Sequence, residues 1–343
     1  MERKKIGDFI GKSNNLNFLK FVAAILVIYS HSFSITGNQC DPLDALTNGN
    51  ISFGGVAVVI FFFASGFFVT KSLLRIKNGK VFWKARMIRI YPAFIFVVFL
   101  SVFLMGPLIS KYTLKEYFSF SETYLYMLYL VFVPRYNLPG VFEENFLAKI
   151  VNGSLWTLTL EVICYIGLYI AYKLKLLTTA RLKKINILLI VIIGICFGLQ
   201  PEKIYHYHSY IRPLFVFIVG MEYYIFRESI SINLYGIAIT FVASVVLLST
   251  KKIDLWMVCV FPYLLSAWVF CDWQISEKIG MLGEFSYAIY LVAFPIQQIF
   301  VHYNPQIGVF GNTIGASIFS VLLGVVIYYW IEKRAVIYFK NRA

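Results

Sequence analysis

The sequence predicts an all-α, polytopic integral membrane protein with about ten transmembrane helices and both termini in the cytoplasm. Of its 343 residues, 59% are hydrophobic and only 14% are charged, and the mean hydropathy is +0.74. These values exclude a water-soluble globular protein. Because one membrane-spanning helix needs roughly 20 apolar residues, ten helices would use about 200 positions. Little of the chain is left for soluble domains, so we expect residues 1–343 to form a single transmembrane domain.

Ten apolar segments supply the predicted helices. They cover residues 17–37, 53–71, 90–110, 155–172, 185–200, 210–226, 232–250, 254–271, 284–303 and 310–331. The first segment follows Arg3, Lys4, Lys5 and Lys12, as the apolar part of a signal peptide would. No small-x-small cleavage site follows it cleanly, so we interpret it as an uncleaved membrane span.

An eleventh apolar stretch, residues 124–133, has only about ten residues and is short for a span. The basic residues decide its interpretation, because cytoplasmic loops of membrane proteins are enriched in lysine and arginine. With ten spans and a cytoplasmic N-terminus, 23 of the 31 basic residues lie on the cytoplasmic side. Counting 124–133 as a span would move the basic cluster from Lys173 to Lys184 outside. We therefore predict a re-entrant or interfacial segment at 124–133, within an outer loop of about residues 111–154.

The net charge of +14 is attributed to membrane topology, because the sequence contains no basic patch interleaved with aromatic residues of the kind that binds nucleic acid. The cysteines form no CxxC motif and have no nearby histidine at metal-ligand spacing. They are Cys40, Cys164, Cys196, Cys259 and Cys271. We expect no nucleic-acid partner, no metal site and no intramolecular structural disulfide.

The first predicted helix carries Lys20 and His31 on one face. Eleven positions separate them, which is three turns plus about 20°, or a distance of about 16 Å along the axis. We expect the lysine near the cytoplasmic end and the histidine well inside the membrane. Two interpretations are open. The two residues line the same wall of a functional site, or Lys20 extends its amine to the membrane surface and His31 hydrogen-bonds to a neighbouring helix. The other histidines, which fall in or beside predicted outer loops, are His206, His208 and His302.

A polar stripe runs along the fourth predicted helix at positions i, i+3, i+7 and i+11. Its members are Ser154, Thr157, Glu161 and Tyr165. Glu161 could be a structural counter-ion for a lysine or arginine, or it could orient and tune the imidazole of His31. Glu222 and Glu284 are weaker candidates, because each lies near a predicted membrane face where water would solvate it.

Two further patterns involve the second helix and the loop that follows it. Ser65 and Gly66 stand among phenylalanines, and small residues beside aromatic ones are typical of close helix packing. Ser65 is therefore not expected to be a nucleophile. Arg86 and Arg89 lie three positions apart, share a helical face and could clamp a phosphate. The alternative is that they only set topology, like the arginines of any cytoplasmic loop.

Together these motifs resemble the acyltransferase family 3 membrane proteins, over nearly the whole chain. The residues that carry the resemblance are Leu19-Lys20 with His31, Gly54-Gly55, Phe62-Phe63 with Ser65-Gly66-Phe67, Arg86 and Arg89 with Tyr91-Pro92, Ser154-Leu155-Trp156 with Leu158 and Glu161, Arg212 before Gly220, and Gly283 with Ser286-Tyr287 and Tyr290-Leu291. Members of that family acylate, most often acetylate, sugars of bacterial surface polysaccharides, using acyl-coenzyme A from the cytosol. The resemblance implies an O-acetyltransferase of the bacterial inner (plasma) membrane that acts on O-antigen, capsule or exopolysaccharide.

By this resemblance, His31 is the essential histidine and Lys20 holds a position usually held by arginine. The paired arginines and the tryptophan–glutamate motif of the family correspond to Arg86, Arg89, Trp156 and Glu161. The supporting positions are Ser65, Gly66, Arg212, Tyr287 and Tyr290. The expected partners are acetyl-coenzyme A (acetyl-CoA) as donor substrate, a lipid-linked or polymeric glycan as acceptor, the lipid bilayer and, as candidates, polysaccharide-assembly proteins. We expect no permanently bound cofactor.

The sequence departs from the family pattern in three ways. Lys20 keeps the charge of an arginine but loses its planar fork. Many members have a histidine after the Tyr-Leu pair of the ninth helix, where this chain has Ala293. Some relatives carry a fused extracytoplasmic hydrolase-like domain, and we expect none here. The chain would then complete the transfer itself or use a separate partner.

The mechanism expected at this point begins with coenzyme A phosphates held at the inner face by Arg86, Arg89 and Lys20. His31, oriented by Glu161, then acts as general base on the sugar hydroxyl or carries the acetyl group itself. Aromatic residues on the outer side could stack on sugar rings or form an interfacial belt. They are Tyr124, Tyr126, Tyr129 and Trp156.

The competing hypothesis is a transporter or flippase for a lipid-linked sugar, because buried histidine and glutamate residues also form proton relays. Against it, the sequence has no repeated half and no paired interrupted helices, which are typical of many transporters.

Overall fold

The computed structural model describes residues 4–9, 15–199, 207–271, 273, 275 and 277–340. Most of these residues are helical. The α-helices are α1 (Leu16–Ile35), α2 (Pro42–Leu46), α3 (Phe53–Ile76), α4 (Gly79–Leu100), α5 (Gly106–Ile109), α6 (Leu114–Ser119), α7 (Ser121–Leu125), α8 (Trp156–Lys173), α9 (Thr179–Ile193), α10 (His208–Ile225), α11 (Leu234–Ser249), α12 (Ile253–Cys259), α13 (Phe261–Val269), α14 (Glu277–Gly280), α15 (Ser286–Tyr303), α16 (Val309–Ile327) and α17 (Lys333–Lys340). A short antiparallel ribbon pairs β1 (Lys4–Lys5) with β2 (Ser231–Ile232). Arg3, Lys12 and His206 lie outside the described residues.

All ten predicted apolar segments are helical, the eighth being divided at Val260 between α12 and α13. The third helix begins eleven residues earlier than predicted, at Gly79, where the Asn78 side chain caps it by accepting a 3.2 Å hydrogen bond from the Val81 N–H. Arg86 and Arg89 therefore lie inside a helix, and the prediction that they lie in a loop is wrong. The apolar run missed this part because charged residues interrupt it.

Five helical stretches among the described residues are long and apolar enough to cross a membrane. They are Leu16–Ile35, Phe53–Ile76, Gly79–Ile109, Thr179–Leu199 and Val309–Phe339. The chain is therefore an all-α, multi-pass membrane protein. The number of ten spans and the cytoplasmic position of both termini stay predictions.

Three of the long stretches contain π-helical turns, at Ser101–Met105, Gly194–Leu199 and Tyr328–Glu332. A π turn adds residues to one turn of a helix, shifts the side chains that follow, and often lies at a functional site. The third of these turns carries Glu332, which is only 2% exposed.

The segment 124–133 folds as the end of α7 followed by a 3₁₀ helix, Tyr126–Val131. It ends at Phe132, whose φ of 60° is left-handed, just before Pro134. The segment forms no membrane-length helix, because each of these elements is far shorter than a span. Its position relative to the membrane stays a prediction.

The centre of the bundle is built on a close contact between α3 and α10. A Cβ atom on Gly66 would lie 2.1 Å from the Phe217 carbonyl oxygen, and one on Gly220 would lie 2.3 Å from the Phe63 carbonyl oxygen. Only glycine fits at these positions, so the backbones of the two helices meet. Helix α1 packs against α3 and against α15, and a cavity lies among these helices, α4 and α8.

Candidate active site

A cavity of about 890 Å³ lies among α1, α3, α4, α8 and α15. Seven of the eleven site residues implied by the family resemblance line it: Lys20, Ser65, Arg86, Arg89, Glu161, Tyr287 and Tyr290. These residues are up to 270 positions apart in the chain, and the fold brings them to one space. Cations, carboxylates, hydroxyl groups and apolar side chains all contribute to the lining.

The cations reach the cavity from two helices. Arg86 and Arg89 lie on adjacent turns of α4 and Lys20 lies on α1. The guanidinium carbon of Arg86 lies 5.9 Å from the centroid of the Tyr165 ring, and that of Arg89 lies 5.4 Å from the Tyr287 ring. These distances fit cation–π contacts, so aromatic side chains of other helices hold both arginines at the wall of the cavity.

Glu332 is a site residue that the sequence analysis missed. It forms an ion pair with Arg89, and its second oxygen, Oε1, is buried and has no hydrogen-bond partner among the described residues. In the sequence, Glu332 comes directly after the last apolar segment and before two basic residues, as a solvated residue would. The π turn that directs it inward has no periodic signal in the sequence.

Glu284 also belongs to the cavity rather than to a solvated membrane face, which corrects its weaker standing in the sequence analysis. It lines the cavity and accepts a hydrogen bond from the Tyr328 hydroxyl. Glu222, the other weak candidate, lies elsewhere and accepts a 3.3 Å hydrogen bond from the Asn186 side chain.

Glu161 bonds to hydroxyl groups and not to an imidazole. Its Oε1 atom accepts hydrogen bonds from the Tyr165 hydroxyl and, at 3.3 Å, from the Ser65 hydroxyl. Ser65 differs in this respect from Thr70 on the same helix, whose hydroxyl donates to the backbone four residues earlier. Within the described chain no hydrogen bond joins Glu161 to His31, so the structure does not bring this expected pair together.

His31 lies near the C-terminal end of α1, four residues before the helix ends at Ile35. Its neighbours fix this level, because Tyr29 contacts the Phe53 ring at 5.6 Å and a Cβ on Gly54 would touch Ser30. The imidazole lies edge-to-face against Phe294, with ring centroids 5.2 Å apart. Its Nδ1 atom is buried and has no partner among the described residues.

Lys20 and His31 therefore occupy different levels of the bundle. Lys20 lines the cavity beside Ser65, in the middle of α3, whereas His31 lies level with the first residues of α3. Eleven residues of helix correspond to about 16 Å. The levels of the two residues relative to the membrane stay predictions.

Helix α15 links the cavity to His31. Tyr290 lines the cavity, and Phe294, which contacts His31, is one helical turn further along. The Tyr290 hydroxyl donates to the Ser154 carbonyl at 2.7 Å and also bonds Thr157 Oγ1 at 2.7 Å. Ala293, where many relatives have a histidine, is buried in an apolar cluster.

Two glutamines on α15 fix the surroundings of His31. Gln297 is fully buried and donates to the Ile28 carbonyl and to Ser32 Oγ, both at 2.8 Å. Gln298 donates to the Leu147 and Ile150 carbonyls, also at 2.8 Å. Helix α1 and the loop before α8 are therefore both held to α15 close to the imidazole. A pair of buried amides in an apolar helix is a signal that the sequence analysis did not use.

Arg212 and Trp156 do not line the cavity. Arg212 bonds Asp254 through Nε at 2.6 Å and the Asn50 carbonyl through a terminal nitrogen at 2.8 Å. Asp254 also pairs with His208 at 2.5 Å, and all three side chains are buried. Arg212 therefore joins α10 to α12 and to the loop before α3, while Trp156 packs its ring against Tyr210 at 5.0 Å.

Among the aromatic residues considered for sugar stacking, Tyr126 and Tyr129 are each only 1% exposed. They are part of the protein core, so the expectation that they contact sugars is wrong. Tyr124 is exposed.

Comparison with known proteins identifies the family of the chain. The model of the family described as "Acyltransferase domain", acyltransferase family 3, matches residues 13–333, so the match includes every residue that lines the cavity. No solved structure matches the chain.

Two curated proteins are similar to the chain. An "O-acetyl transferase" of Shigella phage Sf6 is 25% identical over 333 residues, which cover 94% of this chain and 96% of that protein. "Nodulation protein 10" of Rhizobium leguminosarum bv. viciae is 27% identical over 233 residues, which cover 66% of this chain and 60% of that protein. With a family match over nearly its whole length and a cavity that gathers the motif residues, this chain belongs to acyltransferase family 3 and is an acyltransferase enzyme.

Proposed function

We propose that the enzyme transfers an acetyl group from acetyl-CoA to a sugar hydroxyl of a bacterial surface polysaccharide, such as O-antigen, capsule or exopolysaccharide, and that it works in the bacterial inner (plasma) membrane. The observation that carries the proposal is the order of groups inside the bundle. Three cations, Lys20, Arg86 and Arg89, surround one part of the cavity. Tyr290 lines another part, one helical turn from the residue that contacts His31.

The cations suit a donor that carries phosphates. Arginine binds phosphate oxygens through two parallel N–H groups, and lysine adds a point charge. Arg86 offers one further argument, because its Nε–H is buried and has no hydrogen-bond partner among the described residues. A buried donor without a partner costs free energy, and a phosphate oxygen of the donor would satisfy it.

His31 is the proposed reacting residue. Its buried Nδ1 atom has no described partner, and a neutral imidazole carries one acceptor nitrogen that can take a proton. As general base, His31 would accept the proton of the sugar hydroxyl while the sugar oxygen attacks the thioester carbonyl and coenzyme A leaves as the thiol. As acyl carrier, the imidazole would itself attack the thioester and then pass the acetyl group to the sugar oxygen.

The separation of Lys20 and His31, about 16 Å along α1, supports a division of labour. Donor phosphates would bind in the cavity, and the thioester would reach the outer end of the bundle through the space beside Tyr290. The acceptor sugar would then approach His31 from the outer side. Such an arrangement uses a cytosolic donor to modify a sugar at the opposite face, without moving the whole donor across the membrane.

Analysis of surface glycan tests this proposal. Cells that lack the gene should be complemented with the wild-type chain, with H31A or with an empty vector, and their glycan analysed by mass spectrometry. We expect the mass of one acetyl group per modified repeat with the wild-type chain only. A glycan of unchanged mass in wild-type cells, together with altered export of the lipid-linked sugar, would favour a transporter and refute the proposal.

A further inference from the structure

We infer that Glu161 binds the donor, accepting a hydrogen bond from the pantetheine arm of coenzyme A through its cavity-facing carboxylate oxygen. The inference rests on the proposed use of acyl-coenzyme A. It assigns Glu161 a task separate from His31, with which it makes no described hydrogen bond.

The two oxygens of Glu161 are used unequally. Tyr165 and Ser65 both donate to Oε1, whereas no described residue donates to Oε2. Glu161 lines the cavity, and Oε2 is not among the buried atoms that lack a partner. This oxygen is therefore open to the cavity. A carboxylate fixed by two hydroxyl donors on one oxygen presents the other in a defined direction.

Helix α8 shows where along the cavity this oxygen lies. Tyr165 lies beside Arg86, whose guanidinium is 5.9 Å from the tyrosine ring. Thr157, two turns earlier on α8, bonds Tyr290. Tyr290 is one helical turn from Phe294, the residue that contacts His31. Eight residues of helix span about 12 Å, and Glu161 is halfway. It therefore lies between Arg86, which we propose to bind phosphate, and the residue that we propose to react.

The part of coenzyme A between its phosphates and its thioester is the pantetheine arm. This arm carries secondary amides and a hydroxyl group, so it offers N–H and O–H donors. A hydrogen bond from such a donor to a carboxylate is charge-assisted and stronger than a neutral one. Glu161 would therefore bind the arm more strongly than a neutral acceptor would.

Neighbouring hydroxyl groups are already engaged. The Tyr287 hydroxyl donates to the Ile90 carbonyl at 2.9 Å, and the Tyr290 hydroxyl donates to the Ser154 carbonyl at 2.7 Å. The hydroxyl of Tyr165 donates to Glu161 itself. These hydroxyl hydrogens are not available to a ligand, whereas Glu161 Oε2 is a charged acceptor to which no described residue donates.

The substitution E161Q tests the inference with little change of shape. Glutamine has one acceptor oxygen and one donor nitrogen. Its oxygen would stay with Tyr165 and Ser65, which donate to that position, so its NH₂ group would replace Oε2 and face the cavity. The variant would then present a donor to the donor groups of pantetheine, and the hydrogen bond would be lost.

Two probes separate the parts of the ligand, with the purified chain in lipid nanodiscs. Coenzyme A contains the phosphates and the pantetheine arm, whereas 3′-phosphoadenosine 5′-diphosphate contains the phosphates without the arm. In E161Q we expect the affinity for coenzyme A to fall by at least about tenfold, and the affinity for the shorter probe to change by less than about twofold. The variant R86A is the matched control and should weaken the binding of both probes.

Several results would overturn the inference. Equal weakening of both probes in E161Q would mean a general distortion of the cavity, and unchanged coenzyme A affinity with slowed transfer would return Glu161 to the reaction step. S65A provides a second test, because it removes one donor to Oε1 and leaves Oε2 in place, so its loss of coenzyme A affinity should be smaller than that of E161Q. If wild-type protein binds neither probe, the proposed function fails as well, and that failure is distinguishable from the others.

Discussion

Arg89, the second of the paired arginines, forms an ion pair with Glu332, a carboxylate that is 2% exposed and belongs to the π turn after α16. The pair joins the last long helix to the wall of the cavity. Because Arg89 also lies over the Tyr287 ring at 5.4 Å, it is held from two sides. Its side chain remains 39% exposed, which leaves N–H groups available for a donor phosphate.

The variant E332Q should lower the melting temperature of the purified protein. Removing the charge leaves Arg89 without its charged partner, which should destabilise the folded protein by about 1–3 kcal/mol. The cost is smaller than for a fully buried pair, because Arg89 is partly exposed. Thermal unfolding in nanodiscs measures the change. The control E228Q removes a carboxylate that is 65% exposed and paired with Arg227 at 3.4 Å, and it should leave the melting temperature nearly unchanged. Equal effects of the two substitutions would contradict a structural role for the Arg89–Glu332 pair.

The double variant R86A/R89A should weaken the binding of coenzyme A by at least about tenfold, because each lost charge-assisted hydrogen bond costs about 1.5–3 kcal/mol. Binding to purified protein measures this. The control K333A/R334A removes two cations from α17, where both side chains are exposed, and should not change the affinity. Since R89A also leaves Glu332 unpaired, R86A alone should be measured as well. Wild-type affinity in both arginine variants would limit these residues to a topological role.

Two glycine substitutions should differ in their effect on stability, one at the close contact between α3 and α10 and one at an open position on α8. In G66A the new Cβ would lie 2.1 Å from a backbone oxygen of α10, so the helices would have to separate, and we expect loss of folded protein or a destabilisation above the 1–3 kcal/mol typical of overpacking. In G167A on α8, nothing lies within 4 Å of the new atom, and the alanine should be neutral or stabilising by up to about 1 kcal/mol. Size-exclusion profiles and melting temperatures compare the two. A stable, monodisperse G66A protein would be inconsistent with this packing.

Topology can be tested with a reporter that is active only outside the cytoplasm. The distribution of basic residues predicts activity for fusions near residues 42, 140 and 205, and silence near residues 78 and 178. Activity near residue 178 would mean that 124–133 crosses the membrane, and the count of ten spans would then be wrong. A cytoplasmic reporter fused at the same positions should give the complementary pattern.

Hydropathy predicted the helical segments well, because burial in lipid requires long apolar runs that satisfy their own backbone hydrogen bonds. Hydropathy also drew attention to the charged residues of α1 and α4 that line the cavity, since a charged residue in or near an apolar run is unusual. The same method placed the start of α4 too late, because the first half of that helix is too polar to count as an apolar run. The interruption by Arg86 and Arg89 is the very feature that matters for the site.

Contacts between helices were harder to predict. The spacing of Lys20 and His31 predicted that they share one face of α1. Their positions relative to the residues of α3 depend on how the two helices pack, which no local sequence pattern encodes. Glu161 seemed a natural partner for His31, yet it is held by Tyr165 and Ser65 on its own level. The inward position of Glu332 depends on a π turn, and the His208–Asp254–Arg212 cluster depends on packing between helices far apart in sequence.

The central claim is that His31 performs the transfer while the cavity below it binds the donor. The most direct measurement compares wild-type and H31A protein in proteoliposomes, following acetyl transfer from labelled acetyl-CoA to glycan and the binding of coenzyme A to the same preparations. We predict that H31A binds coenzyme A with an affinity within about twofold of wild type, and that its transfer rate falls by at least about 10²-fold, as expected when a general base or acyl carrier is lost. Transfer by H31A at a rate near that of the wild type would contradict the claim.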